Sequence, residues 1–178
     1  MEKKMISDIT IELERGDIAH QDDMDAVVNA ANAQLKMGGG VAGAIHRAAG
    51  PGLAEEAAPM APLKPGEAVI TGAHNLPNKY VIHCLGPVYG RDEPEEELLA
   101  NCYKNALKRA EENGIERIAF PSISTGAFGY PMEDAARVAL KTLKEQAASL
   151  STVKTIRFVL WGKDAMETHQ KVMEDIFE

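Results

Sequence analysis

The chain has 178 residues, enough for one domain with a continuous core that needs no disulfide or structural metal. Hydrophobic residues make up 45% and charged residues 26%, the balance of a soluble globular protein, which excludes disordered and membrane-spanning classes. With 19 basic against 27 acidic residues the net charge is -8, a poor match for non-specific binding to nucleic acid but no obstacle to a phosphate held by backbone amides.

In chain order, the N-terminal segment MEKKMISDIT lacks the apolar stretch of a signal peptide, and a cytoplasmic location is expected. Strands are predicted at residues 9–13, 26–29, 67–71, 80–84, 117–120 and 155–160, and helices at 41–49, 53–58, 95–113, 132–148 and 165–177. This alternation predicts a single α/β domain spanning residues 1–178, with helices on both faces of a mainly parallel sheet. The helix at 95–113 carries Leu98, Leu99, Cys102, Ala106, Leu107 and Ala110 on one stripe and stops at Asn113-Gly114. Cys84 and Cys102 follow no metal or disulfide spacing and read as reduced thiols of the core.

Two segments carry chemistry. The first, residues 25–52, runs from a strand through Asn29-Ala-Ala-Asn32 to Gly38-Gly39-Gly40, and these glycines open directly onto a helix starting at Val41. Glycines before a helix let the backbone approach a bulky anion, and the free N–H groups and dipole of the helix favour its charge. Gly38, Gly40 and Gly43 also satisfy the dinucleotide pattern GxGxxG. A dehydrogenase reading fails on context, because residues 30–37 separate the strand from the glycines and no acidic residue ends a strand about twenty positions later. Asn29 reads as a loop-closing residue, and Asn32, able to donate and accept, as a partner for a sugar hydroxyl. His46 lies one turn beyond Ala42 on the same side of the helix, and is either a structural histidine or a member of the site.

The second segment, residues 118–131, is a strand followed by a turn in which Ser124, Thr125, Gly126 and Gly129 present amides, a second anion-binding bend facing the same strand ends. Two bends imply two phosphates. Phe128 and Tyr130 fit poorly in a core if the glycines stay accessible, so at least one of them, Phe128 by preference, is expected to stack on a ribose or base.

Taken together, NAAN, GGGVAGAIHRAAGP and PSISTGAFGYP resemble the macro domain, in particular the bacterial MacroD-type branch. The resemblance extends over nearly the whole chain, through GDI at residues 16–18, LPNKYVIHCLGPVYG at 76–90 and the EEELLANCYKNAL helix. It implies a three-layer α/β/α fold with a mixed, mainly parallel sheet that binds ADP-ribose or an ADP-ribosylated protein, with no metal, cofactor or membrane partner. By the same resemblance Asp17 accepts from the adenine amino group beside the Ile18 backbone, Asn32 contacts the distal ribose, and Trp161 lines the adenine pocket. Gly39, Gly40, Val41 and Ala42 in the first loop, with Ser124, Thr125, Gly126, Ala127 and Phe128 in the second, are implied to hold the diphosphate and distal ribose.

One departure bears on activity. MacroD-type hydrolases read GGGVDG, with an aspartate that positions or activates the attacking water, and this chain has Ala42 there. The resemblance implies hydrolysis of ADP-ribosyl esters, on protein acidic side chains or in O-acetyl-ADP-ribose, with Asn32, Phe128 and His46 as candidate catalytic residues, whereas loss of the aspartate implies a slow enzyme or none. The alternatives are a non-catalytic reader of ADP-ribosylated proteins and a phosphatase acting on ADP-ribose 1''-phosphate.

Overall fold

Alternation of side chains along the strands is what builds the layers, because successive residues of a strand point to opposite faces of the sheet. The computed structural model describes residues 2–177. Its elements in order are β1 (Glu2–Ile6), β2 (Ile9–Arg15), β3 (Ala26–Ala30), α1 (Gly40–Ala49), α2 (Gly52–Ala57), β4 (Ala68–Gly72), β5 (Tyr80–Cys84), α3 (Glu95–Glu112), β6 (Arg117–Phe120), α4 (Met132–Gln146), β7 (Thr155–Leu160) and α5 (Lys163–Phe177). The strands form one sheet in the order β1-β2-β7-β6-β3-β5-β4. β2, β7, β6, β3 and β5 run parallel, and the two edges, β1 and β4, are antiparallel.

Val28, Ile82, Ile118, Phe120, Ile156 and Phe158 bury one face of the sheet against α3, α4 and α5. The residues between them, Val27, Val81, Ala119 and Val159, bury the other against α1 and α2 through Ile45, Ala49 and Leu53. This is a three-layer α/β/α arrangement. Tyr103, Phe120 and Phe158 anchor the larger core with ring centroids 5.1 to 6.1 Å apart.

β1 is the element that the apolar pattern does not foretell. Glu2, Lys3 and Lys4 leave it only Met5 and Ile6 as hydrophobics, which suffices for an edge strand that buries little and is protected by its charges. Ser7, in the left-handed region at φ 52°, turns the chain so that Ile6 pairs with Ile9. Helix bounds shift most at the last two helices, by two residues each: α4 gives way after Gln146 to a tighter turn at Ala147–Ser149, and α5 begins at Lys163.

The topology also fixes where a ligand docks. β3 and β6 are neighbours, yet the chain leaves β3 through α1 towards one face and leaves β6 through α4 towards the other. Diverging connections at adjacent parallel strands open a crevice at their C-terminal ends, the usual ligand position in an open α/β sheet.

Candidate functional site

The loops after β3 and β6 form the two walls of that crevice. In the first, the Ala31 amide donates to the Cys84 carbonyl at 2.8 Å, and buried Leu35, at φ 56°, plugs a small cluster with Ala31, Ala57, Leu63 and Leu85. Asn32 closes the loop on itself: its Oδ1 accepts from the Lys36 amide at 3.0 Å and its Nδ2 donates to the Lys36 carbonyl at 2.8 Å. The carboxamide therefore keeps one N–H and one lone pair for a ligand.

The loop then lies down on α1. A Cβ at Gly43 would stand 2.5 Å from the Gly38 carbonyl oxygen, so glycine at 43 is what permits this approach. The first amides of α1, those of Gly40, Val41 and Ala42, have no acceptor among the described residues. α1 is also the helix with no acidic residue in its first turn, whereas α2, α3, α4 and α5 each carry one or more there. An acidic chain has left one helix N-terminus free of its own carboxylates, and that end faces the crevice.

In the second loop Ser124 adopts φ 69° and is buried, with its Oγ donating to the Pro87 carbonyl at 2.8 Å. The Thr125 hydroxyl donates to the Ser122 carbonyl at 2.9 Å. The Gly129 amide donates to Gly126 and the Tyr130 amide to Ser124, which closes the bend. Neither hydroxyl is aimed at a ligand; the amides of Thr125, Gly126, Ala127 and Phe128, which have no acceptor among the described residues, are what the bend offers. Gly86 supports it from below, because a Cβ there would collide with Ser124 Oγ and Ile123.

The two aromatic side chains separate. Phe128 is half-buried and leans on the Leu35 cluster, bridging the two loops. Tyr130 corrects the sequence reading: it is buried in the larger core, turned away from the glycines, since the chain must enter α4 on that face.

At the far end of the crevice, after β2, Asp17 Oδ1 accepts from the Ala19 amide at 2.9 Å and its Oδ2 meets His20 Nδ1 at 3.0 Å, with Ile18 buried beneath. Trp161, directly after β7, is 83% exposed. Sequence reasoning missed what holds this end. Arg157, on β7 and 6% exposed at its side chain, reaches Glu12 at 2.9 Å, Gln21 at 2.8 Å and both oxygens of Asp23 at 2.8 and 2.7 Å. Gln21 in turn donates to the Asp17 carbonyl at 3.0 Å. An arginine inside the apolar run TIRFVL was the available signal, because a buried guanidinium demands partners.

Beneath α1 lies a polar layer. Thr71 donates to the Gly72 carbonyl, so His83 Nε2 donates to Thr71 at 3.0 Å and its Nδ1 accepts from Asn29 at 3.2 Å. Burial brings the His83 pKa down to about 4. His46 is buried too, with its Nε2 unpartnered, and burial lowers its pKa below the usual histidine range. Both cysteines are buried free thiols, and burial pushes Cys102 up to about 12, so neither supplies a thiolate at neutral pH. Among the described residues no group of three or more His, Cys, Asp and Glu could hold a metal ion, and no helix is long and apolar enough to cross a membrane.

Residues 28–139 match the family model of the macro domain. A macro domain-containing protein of Caldanaerobacter subterraneus subsp. tengcongensis is 47% identical over 171 residues, 93% of this chain and 97% of that one. The human ADP-ribose glycohydrolase MACROD2 is 45% identical over 170 residues, 94% of this chain and 40% of the human protein. Among solved structures, the Oceanobacillus iheyensis macrodomain with ADP superposes with a TM-score of 0.94 at 38% identity, covering 98% of this chain and 95% of that one. The Trypanosoma brucei macrodomain in complex with ADP-ribose does so with 0.84 at 38% identity, covering 90% and 68%. The chain belongs to the macro domain family.

Proposed function

We propose that the crevice binds ADP-ribose and that the protein hydrolyses ADP-ribosyl esters, as a mono-ADP-ribosyl-protein hydrolase or O-acetyl-ADP-ribose deacetylase. The observation that supports the binding is two sets of amides, Gly40 to Ala42 and Thr125 to Phe128, with no acceptor among the described residues, on the loops that follow the neighbouring strands β3 and β6. Together they supply donors for a diphosphate without any cationic side chain. Asp17 and Ile18 then lie at the adenine end with Trp161 beside them, Gly39 and Val41 line the phosphate path, and Asn32 and Phe128 take the distal ribose. The relatives with ADP and ADP-ribose support the ligand, and the human glycohydrolase supports the reaction class.

The chemistry must run without a strong base. Ala42 carries no carboxylate and burial makes the His46 imidazole a weaker base, which leaves the ligand's diphosphate to orient the attacking water. A positioned general base contributes about 10²- to 10⁴-fold, so turnover is slow. Purified protein is expected to release ADP-ribose from an ADP-ribosyl-glutamate peptide, and Asn32→Ala to slow that release at least about tenfold. Ala42→Asp places a carboxylate one turn before His46 and is expected to raise turnover about tenfold; an unchanged rate refutes that role for the position. Ala42 also favours a second reading, a reader that binds without turnover. Full ADP-ribose affinity with an intact ester after prolonged incubation would establish the reader in place of the hydrolase.

A further inference from the structure

A second depression lies on the other side of the β6–α4 loop from the phosphate bend. It is a cleft of about 640 Å³ between the N-terminal ends of α3 and α4, lined by Tyr89, Tyr130 and the carboxylates of Glu93, Glu95, Glu96 and Asp134. Tyr130 is 5% exposed, and the part of it that shows lines the cleft. Tyr89, tilted against it with centroids 4.9 Å apart, is 42% exposed and offers an aromatic face to the cleft.

We propose that this cleft takes a lysine or arginine side chain of the polypeptide that carries the ADP-ribose, an inference that rests on the ADP-ribose reading of the crevice. The charges favour a cation. Of the two basic residues at the rim, Arg137 is engaged by Asp175 at 2.9 Å and Glu133 at 3.4 Å, which leaves Lys141 facing four carboxylates. The partial positive charge of two helix ends, about half a unit each, does not offset four full negative charges. Burial pushes the Tyr130 hydroxyl up to about 12, and the nearby Glu96, Glu95 and Asp134 add to that rise.

The chemistry of the occupant follows from what the cleft lacks. Among the described residues no three of its carboxylates converge to hold a metal ion, so the fitting cation is an extended organic one. A second copy of this chain, itself at net charge -8, would be repelled. A lysine or arginine side chain satisfies the tyrosine hydroxyl's lone pair, lies over the Tyr89 ring and pairs with the rim carboxylates. Linkage to the crevice is direct: the Tyr89 amide donates to the Phe128 carbonyl at 2.9 Å, so one loop walls both sites. A polypeptide tethered at the distal ribose then presents its neighbouring residues to the cleft at high effective concentration.

The test is calorimetry with two ADP-ribosyl-glutamate peptides, one flanked by lysines and one by glutamates, alongside free ADP-ribose. Wild-type protein is expected to bind the lysine-flanked peptide about tenfold more tightly, the reach of an exposed ion pair with a cation–π contact. In the double variant Glu96→Gln, Asp134→Asn that preference is expected to fall below about twofold, with unchanged affinity for ADP-ribose and an unchanged melting temperature. A preference that survives in the variant, or peptides that bind wild type alike while ADP-ribose binds normally, overturns this inference alone. Failure of ADP-ribose itself to bind overturns the reading of the crevice, and this one with it.

Discussion

A methyl group at Gly43 would stand 2.5 Å from the Gly38 carbonyl and 2.9 Å from the Arg47 guanidinium, so Gly43→Ala must push the first loop off α1. Overpacking against backbone costs about 1–3 kcal/mol, and it would displace the amides of Gly40 to Ala42. Calorimetry is expected to show ADP-ribose binding weakened at least about tenfold, since small misplacements of donors cost that much. Gly39→Ala is the control: its Cβ meets nothing within 4 Å, and stability is expected to stay within about 0.5 kcal/mol. Both glycines stand in the same run of sequence, where nothing separates the one that carries the loop from the one that is free. The glycine-rich loop ahead of α1 was legible; which hydrogen atom it cannot spare was not, because that depends on a carbonyl five residues away.

At the scale of elements, β7 does more than complete the sheet. Its Arg157 ties β2 through Glu12 and ties the loop after β2 through Gln21 and Asp23, and Gln21 holds the Asp17 carbonyl. The Asp23 carboxyl is held below its usual range by its bond to Arg157. Arg157→Gln would leave the buried Glu12 carboxylate with only the exposed Lys3, at 3.5 Å, and is expected to lower stability by about 3 kcal/mol in urea denaturation. Glu12→Gln with Arg157→Met, which removes both charges, should recover much of that loss; a double variant no better than the single would place the stabilisation elsewhere. Period-two and helical patterns in the sequence located the elements from β2 onwards to within two or so residues, since each buries a full apolar face. They failed at β1, whose charges suit an edge, and at Tyr130, where burial was decided by the direction in which α4 leaves the loop.

Across the whole molecule, three buried histidines, His46, His83 and His169, have pKa values lowered by burial, and for His83 the value falls from 6.5 to about 4. The unfolded chain therefore binds more protons than the fold between those limits. The stability that neutral His83 confers is fully present above pH 6.5 and is lost as the pH falls to about 4, a loss of about 3 kcal/mol. Denaturation midpoints at pH 7.5 and 4.5 are expected to differ accordingly, and His83→Gln to flatten the slope; a variant as pH-sensitive as wild type would assign the effect to other groups.

The most direct measurement is a calorimetric titration of ADP-ribose into wild-type protein and into Gly126→Glu. Position 126 is exposed, with no heavy atom within 4 Å of its added Cβ, so the side chain fits, and under the proposed binding mode only its charge would meet the diphosphate. One-to-one binding by the wild type, and a loss of at least about a hundredfold in a variant of equal melting temperature, is the expected result. Wild-type protein that gives no binding heat, or a variant that titrates as the wild type does, would contradict the two-loop grip.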